Sequence, residues 1–180
     1  MDNKELKQYF ELNCKPSAFE RSGQKLGPEY ECLVLIPDRK DASGQSYRPL
    51  GMDEQEGVPG VLRRFQEIGA MRGKVWEGKF EGENLIGLQN QEGASITIEP
   101  GGQIELSDQP MDHLSQVETS IRNFVRDLKE SIRSIQGRLL FLGAQPLFDL
   151  DAIALSPKKR YRIMYPVSYT HLTLPTNSSV

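Results

Sequence analysis

Apolar and polar positions alternate most regularly over residues 93–107, G-A-S-I-T-I-E-P-G-G-Q-I-E-L-S. Read with period two, Ile96 and Ile98 face one way and Ser95, Thr97 and Glu99 the other. Pro100-Gly101-Gly102 interrupts the run, after which Ile104 and Leu106 oppose Gln103, Glu105 and Ser107. The pattern predicts a β-hairpin with one apolar and one polar face, its glycines supplying a positive φ in the turn. The polar face holds hydroxyls, an amide and two acids, with no Lys or Arg. That mixture suits a cation or a polar ligand, although a plainly solvated hairpin accounts for the same residues.

The rest of the chain can be ordered around this hairpin. Residues 4–13 suggest a short amphipathic helix, stopped by Lys15-Pro16-Ser17. A strand is expected over 29–36, with Glu29, Glu31, Leu33 and Leu35 on one face and Tyr30, Cys32, Val34 and Ile36 on the other. Residues 37–51 are rich in turn formers and predict a loop. A helix is expected over 59–68, with Pro59 in its first turn and Val61, Leu62, Phe65 and Ile68 buried. Strands at 74–80 and 85–90 are so closely spaced that they must be antiparallel neighbours of the hairpin. A long helix over 111–136 follows, with an apolar stripe of Met111, Leu114, Val117, Ile121, Phe124, Leu128, Ile132 and Ile135. Ser107 or Asp108 would cap it and Gly137 would end it, while Glu118, Arg122, Arg126, Asp127, Lys129 and Glu130 would form a solvated outer face. Residues 138–146 predict a buried strand. The expected fold class is α+β: an antiparallel β-sheet with helices packed on one face, the polar face left open.

Composition narrows the function. With 22 basic and 25 acidic residues the net charge is −3, which offers no electrostatic case for nucleic acid or an anionic membrane. No apolar run approaches the roughly 20 residues of a membrane helix. The amino terminus, M-D-N-K-E-L-K, has no apolar signal core, so a cytoplasmic protein is expected. Cys14 and Cys32 are too few for a disulfide framework, and neither His113 nor His171 has metal-ligand spacing. Phosphate-binding glycine loops and nucleophile elbows are missing too. Any chemistry would fall to carboxylates.

Glu29 and Glu31, on one strand, and Glu99 and Glu105, on the hairpin, can share a face of an antiparallel sheet. Carboxylates grouped in this way suit hard divalent ions, most often Mg²⁺ bridging nucleotide phosphates. The basic cluster Lys158, Lys159, Arg160 and Arg162 is either a charged loop or a clamp for carboxylate or phosphate. From Val167 onward, V-S-Y-T-H-L-T-L-P-T-N-S-S-V contains no Asp, Glu, Lys or Arg. Its first residues match the translation of a transposon end used in sequencing-library adapters. Residues 167–180 are therefore expected to be an adapter-derived tail, and residues 1–166 the amino-terminal part of a single catalytic domain.

Four stretches resemble the glutamate–cysteine ligases of the plant and bacterial type, relatives of glutamine synthetase. They are G-P-E-Y-E-C-L at 27–33, G-L-Q-N-Q-E-G-A-S-I-T-I-E-P-G-G-Q-I-E-L-S at 87–107, F-L-G-A-Q-P at 141–146 and K-R-Y-R-I-M at 159–164. The resemblance covers roughly residues 5–166 and implies an incomplete glutamine-synthetase-like catalytic domain. It further implies an ATP-dependent ligase that joins glutamate, through a γ-glutamyl phosphate, to the amine of cysteine, the first step of glutathione synthesis. By that pattern Glu29, Glu31, Glu99 and Glu105 would bind Mg²⁺, and Gln103, Arg160 and Tyr161 would contact substrate. The family's later strands and basic residues are absent here, which implies a fragment inactive on its own. A related ligase with another acceptor amine, and a non-catalytic module for ATP or glutamate, remain open beside this reading. A glycosidase or a purely structural sheet fits less of the pattern.

Overall fold

The computed structural model describes residues 4, 25–38, 46–52, 56–142, 148, 154–161 and 163. In chain order the strands and helices are β1 (Glu29–Pro37), β2 (Tyr47–Pro49), α1 (Val58–Met71), β3 (Trp76–Glu81), β4 (Asn84–Asn90), β5 (Ser95–Ile98), β6 (Ile104–Ser107), α2 (Leu114–Ser131) and β7 (Arg138–Leu140). The strands form one antiparallel sheet in the order β2-β1-β6-β5-β4-β3, with β7 also pairing β1. The α+β class expected from the pattern is the one observed.

Period-two alternation decides what lies on each side of the sheet. Cys32, Leu88, Ile96, Ile98, Ile104 and Leu106 are buried together with Val61, Leu62, Phe65, Phe124, Leu128 and Ile132 from the helical side. Fully burying one such side chain contributes roughly 1.5–3 kcal/mol, so this shared core holds helices and sheet together. Phe65 sits edge-on to Trp76, with ring centroids 5.7 Å apart. Gly69 permits that approach, because a Cβ there would lie 2.8 Å from the indole Cδ1. The opposite face carries Glu29, Glu31, Thr97, Glu105 and Ser107.

Several expectations need correction. The loop expected over 37–51 contains β2, and β1 runs on through Pro37. The long helix is shorter than its apolar stripe: it starts at Leu114, after an N-cap at His113, and stops at Ser131. Met111 is buried but bridges Leu26 outside the helix, and Leu114 is 75% exposed, so within the helix the stripe is fully buried only from Phe124 onward. Among the described residues, the expected buried strand at 138–146 forms β7 over Arg138–Leu140, and there it is partly exposed. Asp127, placed on the solvated face by sequence, is buried and paired with Arg72 and Arg126. The helix expected over 4–13 (apart from Lys4), residues 143–146, Arg162 and the tail at 167–180 lie outside the described residues.

Cys32 is core, 2% exposed with its thiol 3.8 Å from the Ile104 carbonyl. Burial, helped by the charge of Glu31, pushes its pKa up to about 12. A thiol in this state is inert, because only the thiolate attacks. The peptide containing Cys32 is therefore expected to resist iodoacetamide at pH 8 until urea unfolds the chain, as mass spectrometry would read. The linkage runs the same way. Between the ordinary thiol value of 9.0 and about 12 the folded chain keeps a proton that the unfolded chain releases. Stability should therefore fall as pH rises through that window, and Cys32→Ala should flatten the fall. Rapid labelling of native Cys32 would contradict the burial.

Candidate functional site

Strand register, which the core alternation sets, aligns the acidic side chains. Glu31 lies opposite Glu105, and Glu105 opposite Thr97; one row along, Glu29 lies opposite Ser107, and Ser107 opposite Ser95. Directly opposed residues on antiparallel strands have Cβ atoms about 4.5–5.5 Å apart, where like charges repel. Glu29 and Glu31 are exposed, so they need no partner to offset burial. Glu105 is half-buried, and its carboxyl is held above the usual range, first by burial and then by the charge of Glu99. The Ser107 hydroxyl, 3.3 Å from Glu105 Oε1, partly offsets this, while Glu29 and Glu31 add to it. Among the described residues, Glu29, Glu31 and Glu105 have no cation within ion-pair distance.

Glu99 is placed differently. It follows β5 at the mouth of the turn, where its N–H donates to the Gln103 carbonyl (2.8 Å) and its carbonyl accepts from Gly102 N–H (3.0 Å). Gly102 takes the positive φ of the turn, 82°. The Glu99 side chain is enclosed by the segment at 154–161. Oε1 accepts from Thr97 Oγ1 (2.8 Å) and Lys158 Nζ (3.5 Å), and Oε2 accepts from the Tyr161 hydroxyl (3.0 Å). Arg160 stands 3.8 Å from Oε1 and donates to the Tyr161 hydroxyl at 2.6 Å. Burial raises the Glu99 pKa, but Thr97, the Lys158 charge and Tyr161 together outweigh it, and the carboxyl titrates below its ordinary value. Burial pulls the Lys158 ammonium down, against the Glu99 charge that supports it.

The backbone of this segment is anchored on both sides of Lys158. Ser156 N–H donates to the Pro100 carbonyl at 2.8 Å, and Lys159 N–H to Glu81 Oε2 at 2.7 Å. The basic cluster thus meets the polar face, as a clamp would, yet Lys158 faces inward and Arg160 outward. Of the expected substrate contacts, Arg160 and Tyr161 lie against Glu99. Gln103 lies across the turn from it, its Oε1 buried and unpartnered among the described residues. The sequence offers Lys158 only as one member of the basic cluster, not as the partner of Glu99. The lysine pairs with a residue 59 positions earlier, and no local pattern announces that.

The donor set fits a hard cation in its chemistry: carboxylate oxygens on neighbouring register positions, three of the four acids lacking a counter-charge. It is not gathered into a cage, since no group of three or more His, Cys, Asp or Glu among the described residues converges on one point. Glu29 and Glu31 are exposed and can turn. A cavity of about 510 Å³ lies elsewhere, on the helical side, lined by residues such as Arg72, Trp76, Asp108 and Asn123 and by none of these acids.

The model of glutamate-cysteine ligase family 2 matches residues 25–171. The chain belongs to that family. Relatives named glutamate–cysteine ligase, chloroplastic, include one from Nicotiana tabacum, 30% identical over 91% of this chain and 28% of its own length. Those from Medicago truncatula and Arabidopsis thaliana are 33% and 34% identical, over 66% and 65% of this chain. The chain thus spans less than a third of the length of these ligases. The family match includes the acidic rows, the hairpin and the 154–161 segment, and it continues past Pro166. The relatives are named as chloroplastic, so they lend the cytoplasmic expectation no support. No helix among the described residues is long and apolar enough to cross a membrane.

Proposed function

We propose that this chain is part of an ATP-dependent ligase that makes γ-glutamylcysteine. The supporting observation is the acidic row of Glu29, Glu31 and Glu105, with Glu99 at its end, on the sheet face that the helices leave uncovered. A γ-carboxylate oxygen of glutamate would bond to the γ-phosphorus of ATP as the bond to the ADP oxygen breaks. The amine of cysteine would then attack the acyl carbon, phosphate would leave with the electron pair, and the new amide would shed a proton. Mg²⁺, held by Glu29, Glu31, Glu99 and Glu105, would neutralise phosphate charge when bound. The exposed guanidinium of Arg160 presents a planar fork to a substrate carboxylate or phosphate. Tyr161 fixes that fork, and the unpartnered oxygen of Gln103 would accept from a substrate ammonium. Because the chain spans 28% of the tobacco ligase, we expect it to bind these ligands without turnover on its own.

The test is ADP release by the product of the native gene and by this 180-residue chain, each with Mg²⁺ and ATP. The native product should release ADP only when glutamate is present, and faster with cysteine; the 180-residue chain should release none. Another amine outpacing cysteine would assign a different acceptor. Calorimetric binding of Mg-ATP with no ADP from the native product would leave a binding module in place of a ligase.

A further inference from the structure

Of the four acids at the site, Glu99 alone is already neutralised. Its two oxygens are both committed, one to Thr97 and Lys158 and the other to Tyr161. The Lys158 side chain is only 6% exposed, while that of Arg160, the other cation beside Glu99, is 58% exposed. The Ser156–Pro100 and Lys159–Glu81 hydrogen bonds fix the backbone before and after Lys158 and so hold its side chain against the acidic face. The Tyr161 ring closes another side, its centroid 5.6 Å from Nζ. A lysine is seldom buried in this way without a specific partner, and among the described residues the only carboxylate within ion-pair distance is Glu99, with the charge of Glu105 acting from farther off.

We infer that Lys158 is a built-in counter-cation, its ammonium standing where a divalent ion bound by Glu99 must compete. Metal entry then requires Glu99 to exchange one cation for another, whereas Glu29, Glu31 and Glu105 accept charge freely. Lys158 thereby weakens metal binding at the site and keeps Glu99 ordered until the metal arrives. This assignment rests on the metal reading above. It does not depend on which amine is the acceptor.

The experiment is Mn²⁺ binding to the 180-residue chain, followed by the loss of the free-ion electron paramagnetic resonance signal. Wild type, Lys158→Met and Lys158→Arg would be compared, with circular dichroism confirming the fold of each. Removing a unit charge beside a divalent ion at a partly solvated site is expected to tighten binding on the order of tenfold. Lys158→Arg, which keeps the charge, should stay near wild type. Should Lys158→Met not fold, Lys158→Gln serves the same purpose. Equal or weaker Mn²⁺ binding in the neutral variant overturns the counter-cation role while leaving the metal site standing. If wild type, neutral variant and Lys158→Arg all fail to bind Mn²⁺, the metal reading falls and this inference falls with it.

Discussion

Replacing Asp127 with alanine is expected to destabilise the chain by about 2 kcal/mol, read as a lowered urea midpoint. The Asp127 side chain is 10% exposed and accepts from Arg72 just beyond α1 and from Arg126 beside it on α2. Removing a buried partner of a charge usually costs about 3–5 kcal/mol, because the charge left behind is stranded. Here Arg72 and Arg126 are 34% and 54% exposed, so water relieves part of the loss. Arg72 also retains Glu130, at 3.4 Å. The control is Glu118→Ala, which breaks an exposed ion pair with Arg122 one helical turn on. Pairs of that kind contribute about 0.3–0.5 kcal/mol. If the two variants melt alike, Asp127 is an ordinary surface acid and the α1–α2 junction does not depend on it.

The larger functional effect belongs to Glu99. Glu99→Gln in the native gene product is expected to lower turnover on the order of 100-fold or more, since metal neutralisation of transferring phosphate is worth several kcal/mol. The fold should survive at some cost in stability: an amide oxygen can still accept from Thr97, Tyr161 or Lys158, but Lys158 loses its counter-charge. The pH dependence of stability supplies a separate check. Glu99 titrates below its ordinary value of 4.5 in the folded chain. Its contribution is therefore present above 4.5 and is lost as pH falls through the lower folded value, and Glu99→Gln should weaken that acid-side loss. Glu105 is shifted the other way, so it favours the folded state at low pH and costs stability once ionised. Glu105→Gln should raise the melting temperature at pH 7 while lowering metal affinity. A fall in melting temperature for Glu105→Gln would mean the acidic row is not strained.

Much of this architecture was legible because period-two alternation is stringent. A one-residue slip in β5 or β6 would put Ile96, Ile98, Ile104 and Leu106 in water, so the hairpin and its polar face could be read directly. The same alternation let Glu29, Glu31, Glu99 and Glu105 share a face, but that Glu31 lies opposite Glu105 depends on β1 pairing with β6, which no local pattern shows. β2 was illegible because three residues ending in Pro49 are too short to show a period. The ends of α2 were misjudged because apolar spacing continues on both sides, at Met111 and Ile135, where other contacts take over. Asp127 and Lys158 share a deeper reason. Charged residues read as solvated by default, and only tertiary structure brings a partner from 55 or 59 positions away. Sequence could suggest which acids gather, but not which of them would already be paired.

Strand β1 touches the sheet at widely separated points in the chain: Cys32 faces Ile104, and Leu33 faces Leu140. During synthesis at about 5–20 residues per second, Cys32 waits roughly 4–14 s for its partner on β6 to be made. The run Leu33-Val34-Leu35-Ile36 waits longer still, for β7, and until then has β2 as its nearest partner, across only three registered pairs. A nascent chain at this stage exposes an apolar, β-prone edge, the kind of segment that holdase chaperones bind and that aggregates when they are scarce. Protein yield in cells should therefore respond more to translation speed between residues 37 and 140 than to codon choice elsewhere.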